Sequence, residues 1–104
     1  MMNLQEYIAK REARDPEFRA ARQAMEAEFT FRLKLVEART AAGMTQQQLA
    51  ERIGTKQSSI SRLESGDSEP SFDMLRRLAA ALNVSFEILP TAAIEVHQYA
   101  VQHG

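Results

Sequence analysis

The chain has 104 residues, no cysteine and a formal net charge of −1, which allows one domain with an appendage and a modest core. The absence of cysteine excludes disulfides and thiolate metal sites, as we expect for a cytoplasmic protein. No apolar run approaches the roughly 20 residues of a membrane span, and the N-terminus lacks the apolar stretch of a signal peptide.

Two helices are predicted in the N-terminal part of the chain. Apolar side chains at i, i+3 and i+4 form a stripe over about residues 3–13. A second helix is expected to start at Asp15 and Pro16, because aspartate caps a helix and proline suits its first position. The stripe of the first helix consists of Leu4, Tyr7 and Ile8.

The second helix is expected to reach Ala42, with Gly43 ending it. Such a length predicts a bend, which we place near Thr30. Apolar residues recur along one face of this helix at steps of seven, four, four and three. They are Phe18, Met25, Phe29, Leu33 and Val36.

Two short helices are predicted next. Thr45 caps the first, residues 46–53, and the glutamine three positions later completes a capping box. Gly54 forms the turn, because a positive φ costs little only for glycine. Thr55 is expected to open the second helix, about residues 56–64.

The residue types in these two helices are typical of a helix-turn-helix that lies in the major groove of DNA. Leu49 and Ile53 form the inner face of the first helix, and the small Ala50 lets the second approach. Ile60 and Leu63 anchor the second helix. The outward side chains are hydrogen-bonding types, as base reading requires. They are Lys56, Gln57, Ser58, Ser61 and Arg62. The alternative is an ordinary helical hairpin whose glutamines and serines are only solvated.

A further helix is predicted over about residues 72–82, capped by Ser71 and ended by Asn83. The alternation in residues 84–89 suits a strand, although Ser85 could instead cap a short helix. For the tail, residues 90–104, a frayed helix, a second strand and disorder all remain open. The predicted buried stripe of the helix is Phe72, Leu75, Leu78, Ala79 and Leu82.

The charge is unevenly distributed. Residues 31–64 carry six basic and three acidic side chains, whereas residues 1–30 have a net charge of −1 and residues 65–104 one of −3. The segment that contains the motif is therefore the only positive one. Because its excess is small, we expect phosphate affinity to be modest and a dimer to be needed.

From Leu35 to about Leu89 the chain resembles the XRE family of phage-type repressors. EARTAAGMTQQQLAERIG, TKQSSISRLESGDSEPS and LRRLAAALNV carry the resemblance. It implies an all-α, five-helix, lambda-repressor-like domain over residues 31–89, with an N-terminal helical extension over 1–30 and a short C-terminal strand or helix. It also implies a homodimer that binds an inverted-repeat operator in double-stranded DNA, with half-sites one helical turn apart. We expect the dimer contact in residues 72–89, where the edge of a strand would pair across the dimer.

The resemblance also implies roles for single residues. Gln46 would contact a phosphate, although it could also only cap or be solvated. Gln57 and Ser58 would read bases, and Ser61 and Arg62 would contact bases or phosphates.

Lys56 stands near the start of the recognition helix, where a phosphate contact is expected rather than a base contact. Arg39 and Glu64 correspond to an internal ion pair of the family, so we expect their role to be structural.

The segment DPEFRAARQAMEAEFTFRLKLVEAR resembles the entry segment of HigA-type antitoxins. This resemblance implies a HigB-type toxin as partner, a small basic ribonuclease that cleaves mRNA on the ribosome. The toxin contact is expected at Leu4, Tyr7, Ile8, Phe18 and Met25, with Glu17, Glu26 and Glu28 facing a basic surface. Phe29 is expected to pack against its own domain, and Met25 could do the same. The alternative is a freestanding repressor in which the extension serves packing or dimerisation.

Nothing in the chain predicts an enzyme, a cofactor or a metal site. The histidines, His97 and His103, fall in the tail, and we expect His97 to be an exposed residue rather than a ligand. No glycine-rich phosphate loop is present, and no segment is long enough for a separate small-molecule effector domain.

Overall fold

The computed structural model describes residues 1–89 and 93–98. Within them the chain forms five helices followed by two short strands, so the predicted all-α class with a short C-terminal strand is confirmed. The elements are α1 (Leu4–Arg14), α2 (Pro16–Ala41), α3 (Gln46–Ile53), α4 (Gln57–Ser65), α5 (Phe72–Leu82), β1 (Val84–Ile88) and β2 (Ile94–Gln98).

Most helices begin at the capping residues that the sequence predicted. Asp15 accepts a hydrogen bond from a backbone N–H of α2, with Pro16 in the first turn. Thr45 and Gln48 form the complete capping box of α3, and Ser71 caps α5. These bonds span three residues, so they form as soon as the local chain is helical.

The core is one cluster drawn from residues 31–84. It gathers one face of α2 with the inner faces of α3, α4 and α5, and Val84 extends it into β1. Residues 1–30 contribute no buried side chain to it. The buried residues are Phe31, Leu35, Ala38, Leu49, Ala50, Ile53, Ile60, Leu63, Leu75, Leu78, Leu82 and Val84.

The buried face of α2 is not the stripe that the sequence suggested. Phe29 was expected to pack against its own domain, but 58% of it is exposed, and Met25 and Leu33 are exposed as well. The core instead receives Phe31 and Leu35. Residues two apart on an α-helix point roughly 200° away from each other, so burying Phe31 turns Phe29 towards solvent.

The predicted stripe of α5 is wrong at its first residue. Phe72 is 72% exposed, whereas Leu75, Leu78 and Leu82 are buried. Phe72 stands at the first position after the Ser71 cap, at the outer end of the helix.

The two strands form an antiparallel hairpin, with Val84 opposite Gln98 and Ile88 opposite Ile94. The strand alternative for residues 84–89 is therefore correct, and Phe86 packs against Phe31 with 6.0 Å between ring centroids. One edge of β1 is taken by β2 of the same chain, so pairing across a dimer stays a prediction for the other edge of β1 only. Residues 90–92 and 99–104, including His103, lie outside the described residues, as do the predictions made for them.

The longest helix, α2, stays helical through Thr30, where a bend was expected. No helix of the described chain combines the length and the apolar character that crossing a membrane would require.

Candidate nucleic-acid interface

The two helices of the motif are joined by a tight turn. Gly54 ends α3 with φ of 75°, and Lys56 is the N-cap of α4. The helix therefore begins at Gln57, one residue later than predicted, and its N-cap is Lys56 rather than Thr55. The Lys56 side chain makes no capping hydrogen bond, so α4 lacks the side-chain cap present on the other four helices.

Burial of the inner faces leaves the predicted DNA-contact residues on the outside. Ile60 and Leu63 hold α4 against the core. Of the six predicted contact residues, Gln46 and Ser61 are half-buried and the other four are exposed. The exposed ones are Lys56, Gln57, Ser58 and Arg62.

A hydrogen bond joins the two glutamines for which DNA contacts were predicted. Gln57 Nε2 donates to Gln46 Oε1 at 2.7 Å, and Gln46 Nε2 donates to Glu64 Oε1 at 2.9 Å. This chain of bonds orients the Gln57 amide. After the bond to Gln46, Gln57 retains one N–H and its carbonyl oxygen, which are the two groups that a bidentate pair with adenine needs.

The ion pair expected between Arg39 and Glu64 is present and largely buried. Arg39 Nε lies 2.7 Å from Glu64 Oε2 and Nη2 lies 3.0 Å from Oε1, so the contact is bidentate. Only 12% of the arginine side chain and 6% of the glutamate side chain are exposed. Arg39 Nη1 also donates to the Met44 carbonyl at 2.9 Å. Arg39 thus ties α2 to α4 and to Met44, two residues before α3.

Sequence reasoning missed two arginines that bind the carboxyl ends of the motif helices. Arg77 of α5 donates to the Ile53 carbonyl at 3.2 Å, and Arg32 of α2 donates to the Ser65 carbonyl at 2.7 Å. The last carbonyls of a helix need donors, and a cation there also meets the negative end of the helix dipole. That need is readable from sequence, but the arginines that meet it come from 24 and 33 residues away.

Positive charge remains available on the outer face of the motif. Lys56 and Arg62 are exposed and form no ion pair within residues 1–89 and 93–98, the part that the structure describes. Arg39, by contrast, is used internally. The cations that face solvent here are therefore few, in line with the modest phosphate affinity expected from the sequence.

One cluster with metal-ligand chemistry lies on the hairpin, away from the motif. His97 Nε2 is 3.3 Å from a Glu87 oxygen and 3.8 Å from a Glu95 oxygen. The sequence predicted His97 to be exposed, which is correct, but did not bring it together with these carboxylates. All three side chains are exposed, and exposed acidic groups commonly cluster without a cation, so we assign them no metal function.

The comparison with known families agrees with this geometry. A family model described as helix-turn-helix matches residues 35–89, slightly more than half of the chain. The match contains α3, α4, α5 and β1, and its limits are those over which the sequence resembles XRE proteins. No curated protein and no solved structure matches the chain.

Proposed function

The chain belongs to the helix-turn-helix family of XRE type. From this premise we propose that it is a sequence-specific transcription regulator. Its helix α4 would enter the major groove of double-stranded DNA. The observation that carries the proposal is the outward face of α4. Its exposed side chains are hydrogen-bonding groups, and the Gln46–Gln57 bond holds the leading one in a set orientation.

The proposed contacts divide into positioning and reading. Lys56, Arg62 and Gln46 contact phosphates and set the register of the protein on the duplex. Gln57 and Ser58 contact base edges, and Gln57 supplies most of the preference because serine accepts several bases. Ser61 is half-buried, so its contact is limited to a base or phosphate that approaches α4 closely.

We further propose that two copies bind an inverted repeat with half-sites about 34 Å apart. Residues 72–89 remain the proposed dimer contact, and their exposed apolar side chains add a second reason. Phe72 and Ile88 are large apolar side chains of this region that are mostly exposed. Covering them would remove apolar surface from water.

The N-terminal extension is proposed to bind a protein partner. None of the residues of α1 is buried, and Leu4, Tyr7 and Met25 are exposed apolar side chains that contribute nothing to the core. Ile8 and Phe18 are half-buried. Apolar surface that is exposed in this way often marks an interaction site.

The partner proposed is a HigB-type toxin, a small basic ribonuclease, which the chain would neutralise while repressing its own operon. The resemblance of the extension to antitoxins motivates this choice. The charge of the extension suits it as well, because Glu17, Glu26 and Glu28 are exposed and have no ion-pair partner among the described residues.

Selection of duplexes from a random pool tests the DNA proposal. We expect the full chain to enrich one inverted-repeat sequence, and the enriched duplex to bind at least about a thousandfold tighter than unrelated DNA. Enrichment of no sequence would contradict the proposed function.

A pull-down from the native cells tests the partner proposal. The tagged full chain is compared with the truncated chain of residues 31–104, and co-purifying proteins are weighed by mass spectrometry. We expect a small basic protein that is held only by the full chain and that arrests growth when it is expressed alone. If neither chain retains such a protein, the freestanding repressor is the better account.

A further inference from the structure

We propose that Arg32 is a positioning residue for the recognition helix α4, and that it sets how well α4 discriminates between DNA sequences. This inference rests on the proposed function. Arg32 lies before the part of the chain that the family model matches, and no DNA contact is proposed for it. Its guanidinium Nη1 donates to the carbonyl of Ser65, the last residue of α4, at 2.7 Å.

The Arg32 guanidinium lies directly against Gly66, the residue that follows α4. Gly66 follows α4 with φ of 84°, and a Cβ built there would lie 2.6 Å from Arg32 Nη1 and 2.9 Å from Cζ. A side chain at this position would therefore collide with the guanidinium and would also strain the backbone. Glycine at residue 66 ends α4 and leaves room for Arg32 in the position that bonds to Ser65.

Two further features surround the guanidinium. The Phe29 ring lies beside it, with 5.8 Å between the ring centroid and Arg32 Cζ, and Arg32 Nε is buried without a hydrogen-bond partner among the described residues. Phe31, the neighbour of Arg32 on α2, is buried in the core and fixes the rotation of the helix. Arg32 therefore projects from a rigid element, and its contact with Ser65 transmits the position of α2 to α4.

Arg32 and Arg39 both connect α2 to the carboxyl end of α4. They lie seven residues apart on α2, hence two turns apart on one face, and they contact adjacent residues of α4. Arg39 binds Glu64 and Arg32 binds Ser65. The amino end of α4 is held by a different contact, the Gln46–Gln57 bond, and Gln46 also bonds to Glu64. Base contacts require the recognition helix to lie at a set angle in the groove. Loss of the Arg32–Ser65 bond should therefore weaken base contacts more than phosphate contacts.

The test compares Arg32→Met, which keeps an apolar stem without a donor, with Arg32→Lys, which keeps the charge and an ammonium group that can donate. Lys34→Met is the matched control, since it removes one exposed positive charge from the same helix. For each full-length variant, affinity is measured for the selected inverted-repeat duplex and for an unrelated duplex over a range of salt concentrations. Thermal unfolding followed by circular dichroism reports the folded fraction.

We expect Arg32→Met to lower the ratio of specific to unrelated affinity about tenfold, the loss of one aligned base contact, with partial recovery in Arg32→Lys. Lys34→Met should leave the ratio unchanged.

A role limited to fold stability would lower the active fraction for both duplexes alike and leave the ratio intact, which would overturn the inference. So would a salt slope that falls in Arg32→Met but not in Lys34→Met, because Arg32 would then be a phosphate contact. If the wild-type chain prefers no duplex, the proposed function fails and this inference fails with it.

Discussion

The Glu64 carboxylate accepts hydrogen bonds from two side chains that have different tasks. Arg39 reaches it from α2, and Gln46 reaches it from the start of α3. Through Gln46 the carboxylate is linked to Gln57, which is the proposed base reader. One buried acid therefore supports both the packing of the motif and the orientation of an exposed amide.

Glu64→Gln should lower the free energy of unfolding by about 3–5 kcal/mol, because it leaves the Arg39 charge buried without its counter-ion. Urea denaturation measures the change. Glu37→Gln is the matched control, since Glu37 pairs with Lys34 in an exposed contact that is expected to contribute less than about 1 kcal/mol. Equal losses in the two variants would contradict the structural role of the pair. The expected loss also means that weakened DNA binding by Glu64→Gln would not identify a DNA contact.

Gln57→Ala should weaken binding to the selected operator by about 1–3 kcal/mol and leave binding to unrelated DNA unchanged, because a bidentate base contact is removed. Titration of labelled duplexes measures both affinities. The control is Gln47→Ala on α3, where the exposed Gln47 side chain contacts Glu51 rather than Gln46. Unchanged specific affinity in Gln57→Ala would refute the reading role of Gln57.

The amino end of α4 differs from the amino ends of the neighbouring helices. Thr45 and Ser71 cap α3 and α5 with side-chain oxygens, whereas the N-cap of α4 is a lysine whose side chain makes no capping bond. A lysine at this position does not supply the hydrogen bond by which a capping side chain stabilises a helix. A phosphate contact at the same residue would account for that choice.

Lys56→Ser should therefore raise stability and weaken DNA binding together. Relative to Lys56→Ala, the serine should add about 1 kcal/mol to the free energy of unfolding by capping α4. Both variants should weaken specific and unrelated DNA alike and reduce the salt slope by about 1, because a phosphate contact is lost. Urea denaturation and salt-dependent titration measure the two effects. A salt slope equal to that of the wild type would exclude the phosphate contact.

The contribution of α2 to the core changes along its length. The first half of α2 belongs to the extension and buries no side chain, whereas the second half supplies Phe31, Leu35 and Ala38 to the core. α1 is attached to α2 through Arg11, which lies over the Phe18 ring, and through the pair of Glu12 with Arg22. These contacts are local to the extension, so they should not be needed by the DNA-binding part.

Deletion of residues 1–30 should leave operator affinity within about twofold of the full chain, because no core side chain is removed and the affinity change would stay below about 0.4 kcal/mol. Titration of the selected duplex with the truncated chain checks this, and circular dichroism confirms that it folds. The same deletion should abolish binding of the proposed toxin. A truncated chain that still neutralised the toxin would place the partner site elsewhere.

The starts of most elements could be predicted because their causes are local. The caps at Asp15, Thr45 and Ser71 each bond to a backbone N–H three residues ahead, and Gly54 takes the conformation that other residues avoid. The outward set on α4 was predicted from the spacing of the apolar residues in the motif, whereas the Arg39–Glu64 pair was predicted from resemblance to a known family. The Thr55 prediction failed by one residue, because Lys56 is the N-cap although its side chain makes no capping bond.

The sequence by itself determined the helices, their caps, the motif and the outward polar face of α4, because these depend on interactions within about four residues and on periodicity. Only the tertiary structure decided that α2 buries Phe31 rather than Phe29, that Arg32 reaches Ser65, and that β1 pairs within its own chain. A helix with apolar residues on two faces has two possible inner sides, and local spacing cannot choose between them. The choice depends on the surface that the rest of the chain presents, and such contacts join residues far apart in sequence.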